Sequence, residues 1–490
     1  MIRQGKHGKH FVALAAVGAL LLVACGSDSK GSTTTKAATP GTPGTTATTA
    51  GGGSGGTTAA PDTSTAGSTT ASSTATTGAS DTTTAATGAS SAGWTVKTDN
   101  CADPAVASAP IAGTLTIGSA QPLSGTPAVA FAPVKDGFEL YIKYANDQKL
   151  IPGITLKTDI RDDQYDATQT PGVVSALIDG GVNIFSGIIG TPNNLAVRDT
   201  LNQECIPQLL NLTGAPEWGN AKEFPWTTGA LVPYDIEAKI YAKSLKGLIG
   251  DGGTVGMFTV NSEFGKTYAD AFKAAAKDAG LKIVVEKTIE PTDQTPPTNQ
   301  VGALASAKPM AVMAVPLGTQ CPTFLKEIVN AKAANPDWKP VVFLTNTCAS
   351  RLLISLLAAG AGDGVYTSGN LVDPADPKFA ALPGVKLFTD TYNAAGLKGD
   401  LGTTGVGWSI AESTVKILIA AQISGTLSRK SIIEAARDLE YVPSLAREGT
   451  KYKMNGEKDG FTFQSLTVLQ WSEGSKTFTE IGKEDTEYES

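Results

Sequence analysis

Histidine is almost absent from this 490-residue chain: its two copies, His7 and His10, both fall within the first ten residues. That stretch has the features of a cleaved export signal, so the mature chain is expected to carry no imidazole. Ser-His-Asp and Cys-His nucleophilic catalysis and every His-ligated metal site are thereby excluded. No CxxC pair exists either, which argues against zinc at the cysteines. Residues 11–23 form an apolar run of only thirteen, too short for a permanent membrane span. Residues 26–93 contain no Val, Leu, Ile, Met or aromatic side chain at all. Nothing there can offset the chain entropy lost on folding, so no domain is expected in that stretch. Positive charge is also in deficit. The formal net charge is −7, and loss of Arg3, Lys6 and Lys9 with the signal takes it to near −10. An acidic body argues against nucleic acid as a partner.

What is present begins with that signal. Arg3, Lys6 and Lys9 make a positive n-region, residues 11–23 an h-region, and Leu22-Val23-Ala24-Cys25 resembles the bacterial lipobox. The resemblance implies cleavage before Cys25 and diacylation of its thiol; a plain secretory signal with an incidental cysteine is the alternative. Residues 1–24 are thus read as a lipoprotein signal peptide, and the protein as extracytoplasmic and anchored to the cell membrane by lipid on Cys25. The Thr/Ser/Ala/Gly stretch that follows is read as a disordered tether, reaching about 45 Å as a coil. Its composition also suits an O-glycosylated stalk.

About 396 residues remain, enough for two sizeable cores. Strand-like segments at 115–118, 154–160, 184–187 and 207–212 alternate with helical patterns at 134–146, 173–178 and from about 195. The rhythm restarts after Pro233, with helices at 236–248, 268–279 and 324–334 and strands at 254–258, 282–286, 310–315 and 341–344. Strands separated by helical patterns of that length imply parallel sheets covered on both faces. The expected fold class is therefore α/β, with two doubly wound parallel-sheet lobes. Ligands in such sheets sit beyond the carboxyl ends of the strands, where the loops here are rich in Ser, Thr, Asn, Gln and Gly. Cys101, Cys205, Cys321 and Cys348 form an even set suited to an oxidising compartment, with three possible pairings.

The collinear series LTIGSAQPLSG (115–125), RDDQYDAT (161–168), GIIGTPN (187–193), NLTGAPEW (211–218) and NSEFG (261–265) resembles the type I periplasmic solute-binding proteins, above all the branched-chain amino-acid-binding group of ABC importers. The likeness covers nearly all of residues 112–485. It implies two lobes, 112–230 plus 370–442 and 233–367 plus 450–485, joined by three crossover segments near 227–233, 368–373 and 441–453. It implies closure of the lobes on a small-molecule ligand, delivery to an ABC permease, and no catalysis, cofactor or metal. A monomer is expected. With that lobe assignment, pairing Cys101 with Cys205 and Cys321 with Cys348 keeps each bridge within a lobe.

Site residues are carried over where motifs align. Ser124 ends the first motif, and Phe131 is the nearest aromatic to cover a ligand. Thr191, with Pro192 and Asn193, falls in a carboxylate-binding loop, and Thr213 and Gly214 fall in its neighbour. Phe264 stands where the family commonly has Tyr. Thr319 and Gln320 lie in a loop that is often Tyr-bearing, and Thr347 takes the place of a Glu that pairs with an amino-acid ammonium. A buried ammonium without that carboxylate would cost several kcal/mol. An amino acid, a neutral amide, a hydroxylated acid and an aromatic acid therefore all stay open as ligands. Core packing is the other reading of Phe131 and Phe264, and turn or cap roles that of Thr191 and Thr213. Asp162, Asp163 and Asp166 suit helix entry better than metal binding, and Trp218 and Trp226 suit packing. A ligand-sensing receptor subunit or a surface lipoprotein of the same fold, without transport, is the functional alternative.

Overall fold

The computed structural model describes residues 94–485; the signal, Cys25 and the tether of residues 26–93 lie outside the described residues. The first half runs α1 (Pro104–Ser108), β1 (Gly113–Gln121), α2 (Gly125–Asp147), β2 (Ile154–Asp162), α3 (Thr170–Asp179), β3 (Ile184–Ser186), α4 (Thr191–Gln203), β4 (Gln208–Asn211) and β5 (Thr227–Gly229). Its five strands form a wholly parallel sheet in the order β2-β1-β3-β4-β5. Parallel pairing demands crossover helices, and these cover both faces, so β3 and β4 are buried from end to end.

The second half runs α5 (Tyr234–Ile249), β6 (Thr254–Val260), α6 (Glu263–Asp278), β7 (Lys282–Ile289), α7 (Thr298–Ala307), β8 (Ala311–Val315), α8 (Gln320–Ala334), β9 (Val341–Leu344) and β10 (Tyr366–Gly369). The chain continues through α9 (Pro383–Ala394), α10 (Leu401–Ile423) and α11 (Arg429–Ala436), which share the core of the first half. It then passes through the hairpin β11 (Glu440–Tyr441) and β12 (Tyr452–Lys453) and ends in β13 (Ser465–Ser472) and β14 (Thr477–Asp485). The second sheet has the order β14-β13-β10-β9-β8-β6-β7. Its parallel part repeats the order of the first sheet, and β13 and β14 are added antiparallel beside β10. The Ala-Val-Met-Ala-Val run of β8 is buried at every position, whereas edge strand β7 alternates and exposes Lys282 and Glu286. Two doubly wound parallel sheets are thus the fold, as the alternation implied.

Local details differ from the sequence expectation. α7 lies between β7 and β8, where none was foreseen, because its Thr-Asn-Gln-Val-Gly-Ala-Leu-Ala pattern buries only Val301, Leu304 and Ala305. α2 begins at Gly125, well before 134, and carries Pro133 inside it. Prolines at 127 and 133 make that segment read as a turn. Val341–Leu344 is not the last strand, since β10, β13 and β14 complete the sheet.

The most extensive helix–helix contact joins α2 to α10. A Cβ on Gly137 would lie 1.8 Å from Thr404 O, and one on Gly407 would lie 1.9 Å from Val134 O. Each glycine lets the partner backbone approach with no side chain between. Three crossings link the halves: residues 230–233, residues 370–376, and the stretch that includes β11 and β12. They are stitched together by backbone bonds. Val372 N donates to Leu445 O at 2.9 Å, Arg447 N to Asn370 O at 3.0 Å and Gly229 N to Gly460 O at 2.9 Å. Disulfides join Cys101 to Cys205 and Cys321 to Cys348, with Cα separations of 5.4 and 6.0 Å.

Candidate functional site

Beside these crossings lies a cavity of about 200 Å³. The first half supplies Phe131 and Val134 from α2, Ile189 and Leu212 from the loops after β3 and β4, and Val406 and Ile410 from α10. The second half supplies residues between 346 and 353, beyond β9. Leu231, Asn370, Leu371 and Arg447 come from the crossings themselves. The cavity surface is mostly apolar, with Arg351, Asp373 and Arg447 as its charged members. In a sheet ordered 2-1-3-4-5 the crevice opens where strand order reverses, here between β1 and β3 and between β6 and β8. The cavity sits further along, towards the crossings, at the ends of β4, β5, β9 and β10.

Of the residues singled out in the sequence, the structure brings Phe131 and Thr347 to this cavity. Phe131 also stacks on Tyr165, with ring centroids 6.3 Å apart. Thr191 and Thr213 meet elsewhere, between the two halves. Their hydroxyls lie 2.5 Å apart, and Thr213 Oγ1 is 3.2 Å from the Tyr234 hydroxyl. All three residues are buried, and burial pushes the Tyr234 phenol up to about 12. Gly190, at φ 102°, is required beside Thr191, because a Cβ would come within 2.7 Å of the Tyr165 ring. Gly214 accepts the Tyr234 backbone N–H at 2.7 Å, and Phe264 packs on Tyr234 in the core, ring centroids 5.3 Å apart.

The remaining candidates serve local structure. Pro192 opens α4, and Asn193 donates to Asp163 Oδ2 and Thr170 Oγ1, each at 2.9 Å. Exposed Ser124 precedes α2 and bonds Asp162. Thr319 precedes α8 and donates to Gln294 Oε1 at 2.8 Å. Buried Gln320 donates to the carbonyls of Glu290 and Asp293 at 2.8 and 2.9 Å. Asp163 accepts from Thr170 Oγ1 at 2.9 Å, tying the loop after β2 to the start of α3. Trp218 and Trp226 are fully buried core residues.

Several residues at the cavity were invisible in the sequence. Arg351 pairs with Asp373 Oδ2 at 3.2 Å. Arg447, only 4% exposed, sends Nη1 to Glu480 Oε1 at 2.6 Å. Burial pulls its guanidinium below the usual value, and Glu480 opposes that shift. Four lining residues carry buried polar atoms with no protein partner: Arg447 Nε, Asn370 Nδ2, Thr347 Oγ1 and Ser409 Oγ. Behind the wall, fully buried Glu237 accepts from the backbone N–H of Asn346 at 2.7 Å and from Ser368 Oγ at 3.3 Å. Desolvation raises its carboxyl to about 7, partly opposed by those bonds. Asn370, Asp373 and Arg447 lie in stretches without periodicity. The only sequence signal for them was the placing of crossovers near 368–373 and 441–453.

Two doubly wound sheets of matching order, linked by three crossings, define the type I periplasmic binding-protein fold. The chain belongs to the periplasmic binding protein family, whose model matches residues 114–476, a family of extracytoplasmic solute-binding proteins. A Leu/Ile/Val-binding protein, BraC3 of Rhizobium johnstonii, is 25% identical over 180 residues, 37% of this chain and 48% of that protein. The chain thus spans about half the length of the curated relatives it matches. Among solved structures, a branched-chain amino acid ABC transporter protein from Thermus thermophilus with bound valine superposes with a TM-score of 0.68 at 18% identity, covering 76% of this chain and 97% of that one. A solute-binding protein of an ABC transporter from Rhodopseudomonas palustris BisB5, in complex with 3,4-dihydroxybenzoic acid, gives 0.64 at 19% identity, covering 77% and 99%. Among the described residues, no helix is long and apolar enough to cross a membrane.

Proposed function

We propose that this protein captures a small organic solute between its two halves and hands it, unaltered, to an ABC permease, while lipid on Cys25 holds it at the cell membrane. The observation that carries this reading is the cavity at the crossings, whose walls come from both halves at once. A solute touching Phe131 and Val406 on one side and residues 346–353 on the other gains its full contacts only when the halves are together. Its binding therefore shifts the population towards a closed form, which a permease can sense. The likeness to proteins that hold valine and 3,4-dihydroxybenzoic acid supports a small organic acid or a related molecule as cargo. The mature chain acts as a monomer and needs no cofactor.

A thermal-shift screen of the mature chain against amino acids, amides and organic acids tests this directly. Solute at a hundred times its Kd stabilises by about 2.7 kcal/mol, a rise of several degrees. At least one class is expected to do so; a flat response to all of them contradicts the reading. For the anchor, Cys25→Ser is expected to move the protein from the membrane fraction to the soluble one, and retention in the membrane fraction would argue against lipid attachment.

A further inference from the structure

Resting on the solute-binding reading, we propose that Tyr165 sets the length of solute this protein accepts: its ring fills the crevice where strand order reverses in the first sheet and backs Phe131, so the binding space ends at Phe131. Doubly wound sheets take ligands at that reversal, here between β1 and β3. The cavity lies instead towards the crossings, and Phe131 is one of its walls. Tyr165 is not itself a wall residue; its ring stacks on that of Phe131 with the planes 15° apart. The loop after β8 confines Phe131 as well, since a Cβ on Gly318 would stand 3.7 Å from Phe131 Cε2.

The backbone singles Tyr165 out. Its φ is 61°, and that of Gln164 before it is 55°. Left-handed backbone suits glycine or asparagine; for an aromatic residue it is an outlier that persists only where the surroundings over-determine it. Here they do. Asp162 Oδ1 accepts the Gln164 N–H at 2.9 Å, and Asp163 Oδ1 accepts the Tyr165 N–H at 3.1 Å. Buried Asp163 is in turn held by Thr170 of α3 and Asn193 of α4, each at 2.9 Å. Gly190, ahead of α4, leaves room for the ring that a Cβ would take away. The ring so placed packs against the core of the second half.

Two positions of unusual backbone thus serve one ring, which touches Phe131 at the cavity and Gly190 beside Thr191. The sheet does not require it, since β1 pairs with β2 and β3 through backbone bonds alone. With the ring in place, a solute longer than the cavity meets a backed Phe131 and cannot extend into the crevice. Without it, Phe131 can turn into the freed space, and the cavity runs on towards Thr191. The effect passes through Phe131, so Tyr165 is a positioning residue. A solute too long for a fixed wall is rejected tenfold or more, because a packed site yields poorly to added volume.

The test compares the native mature chain with Tyr165→Gly and Tyr165→Phe by calorimetric titration against two size pairs, L-valine with L-tryptophan and benzoate with biphenyl-4-carboxylate. The native protein is expected to bind the longer member of a pair at least about tenfold more weakly than the shorter. Tyr165→Gly, which suits a φ of 61°, is expected to raise the longer member relative to the shorter by at least about tenfold. Tyr165→Phe, which keeps the ring, is expected to keep the native ratio. A merely structural role would weaken both members alike. A crystal structure of Tyr165→Gly needs no solute and is expected to show the cavity extended past Phe131 towards Thr191. Equal affinity of the native protein for both members, an unchanged ratio in Tyr165→Gly, or a cavity still ending at Phe131 would overturn the assignment while leaving solute binding in place. Failure of every class in the broader thermal screen would instead remove the solute-binding reading itself.

Discussion

Glu237 is a residue where burial and charge are in open conflict. Desolvation raises its carboxyl from an unfolded value near 4.5 to about 7 in the folded protein, despite bonds from Asn346 and Ser368. The folded state thus holds this proton more tightly than the unfolded chain. The stabilisation is complete below about pH 4.5 and is lost as pH rises through 7. At about 1.4 kcal/mol per pH unit, the loss is on the order of 3 kcal/mol. Glu237→Gln removes the titration while keeping a polar amide in place. Urea midpoints at pH 5 and pH 8 are expected to show the variant gaining on the native protein at the higher pH; parallel profiles would contradict the assignment. Buried Glu412 is raised in the same sense, so the difference between the two proteins is the informative quantity. Individual residues were also where the sequence was hardest to read. Phe131 and Thr347, which the structure places at the cavity, were singled out because the family resemblance carries over to them, Phe131 after the first motif and Thr347 at the place of a family Glu. Arg447, Asn370 and Ser409 were not, because an arginine in Leu-Ala-Arg-Glu or an asparagine after a short strand looks like any surface residue until the crossings bury it.

Among elements, the meeting of α2 and α10 is one that a single added methyl would disturb. Their backbones touch at Gly137 and Gly407, where added Cβ atoms would overlap Thr404 O and Val134 O. Relief requires the helices to separate, which opens the core of the first half. Gly137→Ala or Gly407→Ala is expected to cost about 3 kcal/mol or more by urea denaturation. Gly302→Ala is the control: it lies in α7 with nothing within 4 Å of an added Cβ, and should gain roughly 0.5–1 kcal/mol. Equal effects at all three positions would refute the close-contact account. The doubly wound rhythm was legible because parallel strands buried on both faces give continuous apolar runs, as in β8. α7 and the start of α2 were not, because the first buries a thin stripe and the second is written in prolines. The elements after β9 escaped periodicity for another reason: α10 is buried nearly all round, its Ser409, Glu412, Ser413 and Thr414 included, and shows no helical face.

For the whole molecule, the two disulfides and the crossings set what can move. Cys101–Cys205 closes a loop of 104 residues and Cys321–Cys348 one of 27. Loop-closure entropy assigns them about 5 and about 3.5 kcal/mol. Replacing the first pair with serines is therefore expected to lower the urea-derived stability more than replacing the second, by roughly 1 kcal/mol; the reverse order would mean that local strain governs them. Neither bridge joins the two sheets across the cavity, so neither opposes a hinge at the crossings. The central claim is that one solute is held there by both halves together. It is tested most directly by a crystal structure of the mature chain grown with the best ligand from the thermal screen. The account predicts that ligand in the cavity, touching Phe131 or Val406 on one side and the segment 346–353 on the other. A ligand bound outside that space, or against one half alone, would contradict it.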